Sequence, residues 1–542
     1  MIVFLLILTL AIFILAYFKY GNFLSRLFDL DDRNRPPSDT MRDGVDYLPA
    51  PATVLFGHHF SSIAGAGPVL GPIIAALAFG WLPVWLWVVV GAIFIGGVHD
   101  FSSLVISIRN RGRSIAEIAN IYMSKRSYRL MLVFIWFTLV YIITVFADLA
   151  AAAFASDGGV ASSSCIFIVL AVAFGLSLYR LRIPLLPATI IFVPLLFFSV
   201  WFGQAIPLNA MPPLFGSSVN TWSALLIVYC FIASVAPVWI LLQPRDYLSS
   251  FLLYASVLGG SLGIIFGGFD LKYPVFTGYS SSSLGPIFPL LFVTVACGAI
   301  SGFHSIVASG TSSKQIKKET DSLPIGYGAM LVEGLVAVVA LSTVMVIGAG
   351  SPLSRSDPLA VYGAGMAKFL SIFGIPEKYG GSLGILALST FILTTLDTAT
   401  RLSRYVFQEF FSLKNKADRF IATAATLVLP TVLVLTDIKD AQGNVIPAWK
   451  SIWPVFGSAN QLLAGLALMI AGLWLRKKGK PSWFVLLPMI FMLVTAFSAL
   501  CDTVLRYRFG ILGLVGAVLL SLSFLLVLEA ARIFLPAAEK RI

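Results

Sequence analysis

The chain has 542 residues, of which 58% are apolar and 11% are charged, and its mean hydropathy is +0.93. Soluble domains carry roughly 25% charged residues, so the polar side chains here are too few to cover a surface in water, and the chain is expected to lie in a lipid bilayer. This excludes a secreted disulfide scaffold, a cytosolic enzyme and a nucleic-acid binder, and the net charge of +12 is interpreted as a sign of membrane orientation.

The apolar segments predict an all-α polytopic membrane protein with about 15 transmembrane helices. A spanning helix needs about 20 mostly apolar residues. The polar stretches between the segments are too short for a soluble domain with its own core. The predicted spans are residues 2–18, 53–79, 82–107, 130–155, 162–179, 184–205, 221–242, 246–267, 286–310, 325–350, 381–405, 420–436, 451–474, 483–501 and 511–533.

The basic residues are concentrated in alternate loops. Lys19, Arg111 and Lys317 belong to this basic set, and the opposite loops hold few of the 37 Lys and Arg residues. The positive-inside rule therefore predicts an N-terminus outside and a cytoplasmic C-terminus. The first segment has no basic flank before it and no small-residue cleavage site, so it is expected to remain as a membrane anchor.

Small and polar residues interrupt the second predicted span. Residues 56–72 read F-G-H-H-F-S-S-I-A-G-A-G-P-V-L-G-P, and such a helix is expected to unwind because Gly and Pro disfavour it. Free backbone groups at membrane depth are tolerated around a buried site or a watery cavity. A simple kink that allows close helix packing is the alternative. The candidate substrate-binding residues in this stretch are His58, His59, Ser61, Ser62, Gly65 and Gly67.

A second interrupted span, residues 296–314, is predicted to cross the membrane in the opposite direction. Two broken helices of opposite direction in the two halves of a chain indicate the binding site of an inverted-repeat transporter. A polar step also occurs in the apolar stretch G-S-A-N-Q-L-L at 457–463. The further candidate substrate-binding residues are Ser301, His304, Ser305, Asn460 and Gln461.

The four histidines all lie in or beside these apolar segments, and His99 is followed by Asp100. Imidazole titrates near neutral pH, and it relays protons, binds carboxylates or ligates metals. Hydrogen bonds that hold helices together are the alternative role. The candidate residues for a coupling proton or sodium ion are His99, Asp100, Asp148, Glu333, Thr394, Thr395, Asp397 and Thr398.

Two of these acids have simpler explanations. Arg401 follows Asp397 by four residues, so an ion pair within one helix explains that carboxylate almost as well. Asp148 is close to the predicted outer surface, where water can hydrate it. The alternative function is that of a membrane protein that binds or transports a transition metal. The candidate metal ligands are His58, His59, His99, Asp100 and His304.

No ATP-binding or hydrolase motif occurs in the sequence, which favours uptake driven by an ion gradient and predicts that the protein is not an enzyme. Five stretches resemble the carbon starvation protein A (CstA) family. They are residues 56–72, G-G-V-H-D-F-S-S at 96–103, A-I-S-G-F-H-S-I-V-A-S-G-T-S-S-K-Q at 299–315, T-T-L-D-T-A-T-R at 394–401 and W-P-V-F-G-S-A-N-Q-L-L-A at 453–464.

The resemblance implies a bacterial inner-membrane transporter linked to the uptake of peptides and, in some members, of pyruvate with protons. It also implies a five-plus-five inverted repeat, the LeuT-like core of the amino-acid, polyamine and organocation (APC) superfamily. In that core the span with Thr394, Thr395 and Thr398 would be the third helix of the second repeat, which in relatives helps to bind the coupling cation.

Mapped onto this chain, the core predicts five parts. These parts are an anchor helix with a cytoplasmic loop at 1–50, the first repeat at 51–205, inserted helices at 206–284, the second repeat at 285–475 and C-terminal helices at 476–542. The sequence does not determine the oligomeric state. The expected function is import of a small carboxylate-bearing nutrient, pyruvate or a short peptide, with protons.

Overall fold

The protein is almost entirely helical in the computed structural model. The structure describes residues 1–43, 47–208, 211–237, 239–413, 415, 417–436, 438–439, 445–508 and 510–534. The strands in this part of the chain form two short antiparallel hairpins, Ser280–Ser281 (β1) with Gly285–Pro286 (β2), and Ile438–Lys439 (β3) with Val445–Ile446 (β4).

The α-helices are numbered in chain order. They are Ile2–Ala16 (α1), Asn22–Leu27 (α2), Pro37–Thr40 (α3), Ala52–Ile63 (α4), Gly67–Phe79 (α5), Trp81–Gly91 (α6), Gly97–Arg109 (α7), Ile115–Tyr122 (α8), Lys125–Ser156 (α9), Gly158–Tyr179 (α10), Leu185–Ala205 (α11), Ser218–Val235 (α12), Leu242–Phe266 (α13), Ile287–Thr294 (α14), Ala296–Ala299 (α15), Gly302–Gly310 (α16), Ala329–Met345 (α17), Pro358–Ser371 (α18), Glu377–Phe410 (α19), Asp418–Leu435 (α20), Ala448–Lys477 (α21), Trp483–Tyr507 (α22) and Ile511–Phe534 (α23).

Turns of other helical types join some of these helices. One π-helical turn, Tyr17–Gly21, connects α1 to α2, another, Ala92–Gly96, connects α6 to α7, and a third, Leu323–Gly328, leads into α17. Each pair is therefore one continuous span with a local bulge. Short 3₁₀ turns occupy Ser312–Lys314, Glu319–Asp321 and Pro352–Arg355.

The predicted spans are confirmed. Within the described residues, 13 helices are long and apolar enough to cross a membrane, and α4 with α5 forms a further span that is bent by 42° at its break. The remaining predicted span, 286–310, is divided into α14, α15 and α16. Both segments whose Gly, Ser and Pro content predicted an interruption are broken helices.

Eight of the spanning segments contact one another in matched pairs. Helix α9 packs along α19; α12 contacts α9 and α19 just as α20 contacts α19 and α9. Similarly, α13 contacts α4 and α19, whereas α21 contacts α14, α16 and α9. Matched contacts of this kind are expected for two repeats of five segments whose first members are the broken helices α4–α5 and α14–α16.

These contacts favour a different insertion from the segment 206–284 that the sequence predicted. Helices α12 and α13 occupy the fourth and fifth places of the first set, whereas α10 and α11 pack most extensively on each other. The repeat boundaries remain a prediction, with residues 158–205 as the alternative to 206–284 for the inserted helices. Sequence spacing alone does not decide between them, because all four helices are apolar enough to span a membrane.

Candidate functional site

The two broken spans meet at their breaks. Helix α4 ends at Ile63 and α5 begins at Gly67, whereas Ile300 and Ser301 have extended backbones between α15 and α16. A Cβ atom on Gly67 would lie 2.3 Å from the Cys297 side chain, so this approach requires glycine. The interruptions thus bring two polypeptide segments closer than side chains would allow.

Asn460 of α21 holds the second break in place. Its Oδ1 accepts hydrogen bonds from the Phe303 amide at 2.9 Å and the Ser301 hydroxyl at 3.2 Å. The neighbouring Gln461 donates from Nε2 to the Phe292 carbonyl. A buried amide side chain therefore caps the N-terminus of α16, as a side chain at a helix N-cap does.

A small cavity of about 10 Å³ lies between the two breaks. Its polar lining comes from Ser301, Thr395 and Asn460, and Gly65 and Cys297 also border it. This space is about that of one water molecule. A molecule larger than water therefore fits only after the surrounding segments move apart.

Four titratable side chains form a continuous buried chain across α7, α16 and α17. His99 Nδ1 lies 2.7 Å from Asp100 Oδ1, Asp100 Oδ2 lies 2.8 Å from His304 Nδ1, and His304 Nε2 lies 3.3 Å from Glu333 Oε2. All four side chains are fully buried. Because isolated charges are costly in an apolar interior, the charge states of these neighbouring groups depend on one another.

The His59 side chain forms its hydrogen bond outside this chain of four residues. Its Nδ1 lies 2.7 Å from the Ser312 hydroxyl, and its Nε2 has no hydrogen-bond partner. Among the described residues, no group of three or more His, Cys, Asp and Glu side chains is arranged to hold a metal ion. The transition-metal alternative is therefore not favoured.

A second buried cluster surrounds Arg245 at the start of α13. Its guanidinium pairs with Asp397, donates to the Tyr229 hydroxyl at 2.6 Å and lies 3.3 Å from Asp246. Asp246 Oδ2 in turn lies 3.3 Å from His58 Nδ1. Arg245, Asp246 and Asp397 are fully buried, whereas the His58 side chain is 15% exposed.

The helical ion pair suggested for Asp397 and Arg401 is wrong. Arg401 instead donates to the carbonyls of Ala233 and Ala236, at 2.9 and 2.7 Å, because α12 ends beside it. The ion-pair partner of Asp397 is Arg245 on α13. Arg245 lies within α13 and not, as the predicted spans 221–242 and 246–267 imply, between two spans. The signal for this is the Arg-Asp pair at the very start of an apolar segment, where charge must be compensated.

Asp148 is also explained by a partner. Hydration near the outer surface is the wrong explanation, because this side chain is 3% exposed. Its Oδ2 accepts from the Trp449 amide at 2.8 Å, so the carboxylate of one helix caps the N-terminus of α21, where negative charge is favourable.

Most of the candidate hydroxyls bond within their own helices. Ser61 and Ser62 donate to the His58 carbonyl at 3.3 and 2.8 Å. Such bonds to the preceding turn are common for hydroxyls in helices. The other bonds of this group run from Ser305 to the Gly302 carbonyl, from Thr394 to the Thr390 carbonyl and from Thr395 to the Ser62 carbonyl on α4, and Thr398 has no partner.

Two larger cavities lie near opposite ends of α19. The two cavities are named after the predicted orientation. The outer vestibule has a volume of about 950 Å³ and is lined by Asp157, Asp357, Glu377 and Lys378. The inner vestibule has a volume of about 240 Å³ and is lined by His58, Lys314, Thr398 and Arg401. The closed breaks lie between them, an arrangement suited to alternating access.

The sequence model for "Carbon starvation protein CstA" matches residues 1–352 and 342–499. The chain is 31% identical to the peptide transporter CstA of Campylobacter jejuni, covering 94% of this chain and 81% of that relative. It is also 31% identical to the pyruvate/proton symporter BtsT of Escherichia coli, covering 90% and 80%. A crystal structure of MhsT in complex with L-phenylalanine superimposes weakly, with a TM-score of 0.49 at 12% identity, covering 90% of this chain and 98% of MhsT. The chain belongs to the carbon starvation protein CstA family of membrane transporters.

Proposed function

We propose that this protein is a proton-coupled symporter that imports a small carboxylate-bearing nutrient, pyruvate or a short peptide, across the bacterial inner membrane. The relatives named peptide transporter and pyruvate/proton symporter support this substrate class. The N-terminus lies outside and the C-terminus in the cytoplasm, in accord with the positions of the basic loops.

The buried chain of His99, Asp100, His304 and Glu333 carries the proposal. Two carboxylates and two imidazoles are fully buried and in contact, so adding or removing one proton changes the charge balance of three helices at once. His304 belongs to α16, the second half of a broken span. Protonation is thereby linked to the position of a segment that must move for the substrate to pass.

The substrate carboxylate binds where the two breaks meet. The N-termini of α5 and α16 begin at Gly67 and Gly302 beside the small cavity, and helix N-termini favour negative charge. Gly65 leaves room there, because a Cβ atom would lie 2.9 Å from the Thr395 hydroxyl oxygen and from the Phe146 ring.

Sodium is the alternative coupling ion, with Thr394, Thr395 and Thr398 as its candidate ligands. Thr394 and Thr395 donate to backbone carbonyls, whereas the buried chain offers four titratable groups in contact. This difference favours the proton, and the gradient experiment decides between them.

The test measures uptake of labelled pyruvate and labelled dialanine into proteoliposomes under an imposed proton or sodium gradient. We expect a proton gradient to drive one or both substrates and Asp100→Asn to remove that dependence. The matched control is Asp31→Asn. Asp31 is outside the spans, and its hydrogen bonds from Arg33 lower its pKa, so it does not titrate near neutral pH. Uptake driven by sodium alone, or a normal response in Asp100→Asn, would contradict the proton role.

A further inference from the structure

Two residues that line the inner vestibule carry buried polar atoms without a hydrogen-bond partner inside the protein. Thr398 is 7% exposed, and its hydroxyl is buried and has no hydrogen-bond partner. Arg401 is 9% exposed, and its Nε also has none, although its Nη2 bonds to two carbonyls. Buried polar atoms without partners cost about 1–3 kcal/mol each. A ligand that reaches them when the inner side opens would satisfy them.

Thr398 and Arg401 both line this cavity. They are three residues apart on α19, so they lie on one face of the helix. His58 and Lys314 line it from α4 and from the turn after α16. The vestibule therefore has an arginine, a hydroxyl donor, a lysine and an imidazole around one volume of about 240 Å³.

The acidic residues of the same cavity are already engaged. Glu409 accepts from the Tyr128 hydroxyl at 2.5 Å, and Glu117 accepts from the Ser114 amide at 2.9 Å as part of a capping box. Their oxygens are thus partly neutralised by donors of the protein. The guanidinium of Arg401 and the hydroxyl of Thr398 still offer donors, which favours an anionic ligand with planar acceptor oxygens.

We propose that the inner vestibule is a second carboxylate-binding site, at which Arg401 and Thr398 hold the substrate before its release. The inference rests on the proposed function. The ligand is a carboxylate, supplied either by a keto acid such as pyruvate or by the C-terminus of a short peptide. Substrate passes from the central breaks to this site when the inner side opens.

The experiment compares the two faces of the transporter. In proteoliposomes of measured orientation, the KM for exchange of pyruvate and of dialanine is determined separately from the vestibule side and from the opposite side. We expect Thr398→Val and Arg401→Lys to raise the vestibule-side KM about tenfold, as loss of a hydrogen bond to a charged group predicts. The KM on the opposite side should stay unchanged. If the vestibule-side KM rises for pyruvate, the ligand is a keto acid; if it rises for dialanine, the ligand is the C-terminus of a peptide.

Ser403→Ala is the matched control. The Ser403 hydroxyl is also buried on α19 without a partner, but it does not line the vestibule. The second site would be overturned by any of three results. These are equal KM changes on both faces, an unchanged vestibule-side KM in Thr398→Val, and a vestibule-side KM in Ser403→Ala that rises as much as in Thr398→Val. Transport of neither substrate by the wild type would overturn the proposed function and, with it, this site; side-independent KM values in an active transporter overturn the site alone.

Discussion

At the scale of single residues, Arg245 shows how a charge is held among the helices. It is fully buried and lies against two carboxylates, Asp246 and Asp397, and the Tyr229 hydroxyl. A buried ion pair adds little net stability over apolar residues, but removal of one partner leaves an uncompensated charge. The sequence predicted Asp397 as a polar site, whereas its partner on another helix depends on tertiary packing that periodicity does not encode.

We predict that Asp397→Asn destabilises the protein by about 3–5 kcal/mol, because the guanidinium of Arg245 loses its main counter-charge. Thermal unfolding in detergent measures the effect. The control is Asp502→Asn, which breaks the half-exposed pair with Arg506 at 3.2 Å and should cost at most about 1 kcal/mol. Equal shifts of the melting temperature in the two variants would mean that the Arg245 cluster is not a critical charge pair.

At the scale of elements, the two broken spans are the feature that the sequence predicts best. Gly, Ser and Pro interrupt apolar segments at 56–72 and 296–314, and the structure breaks both helices there. The partner of each break could not be predicted, because it depends on which helices pack together. Asn460 caps α16 and Asp148 caps α21 from elements far away in sequence, and the choice of α10 and α11 as additional helices likewise rests on contacts.

We predict that Gly67→Ala disrupts the meeting of the breaks. The added methyl group would lie 2.3 Å from Cys297, and the resulting overpacking costs about 1–3 kcal/mol and displaces α5. Substrate uptake should fall strongly, while the amount of protein in the membrane indicates whether it still folds.

Gly348→Ala is the matched control for that change, since its Cβ would meet no atom within 4 Å. Its uptake should equal that of the wild type. Normal uptake in Gly67→Ala would show that transport does not depend on the close contact between α5 and α15.

At the scale of the whole molecule, two vestibules lie near opposite ends of α19 with closed breaks between them. The number of spans and their order were predicted from hydropathy alone, because the length of an apolar segment is set by the bilayer. The orientation remains a prediction from the basic loops. The location of the vestibules could not be predicted, since cavities depend on the packing of many helices.

We predict that Ser283→Cys is labelled by a membrane-impermeant maleimide in intact cells, because the β1–β2 hairpin lies in a predicted outer loop. Asn34→Cys, in a predicted cytoplasmic loop, should react only after the membrane is opened. The native Cys165 and Cys501 are exposed and should be replaced first. The opposite labelling pattern would reverse the orientation and exchange the names of the two vestibules.

The most direct test of the account follows protons and substrate together. In proteoliposomes with a pH-sensitive dye inside, addition of the transported substrate without an imposed gradient should acidify the lumen as substrate enters. We predict this acidification for the wild type and its loss in Asp100→Asn and Glu333→Gln. Substrate entry in the wild type without any proton movement would contradict the claim that the buried chain from His99 to Glu333 couples transport to protons.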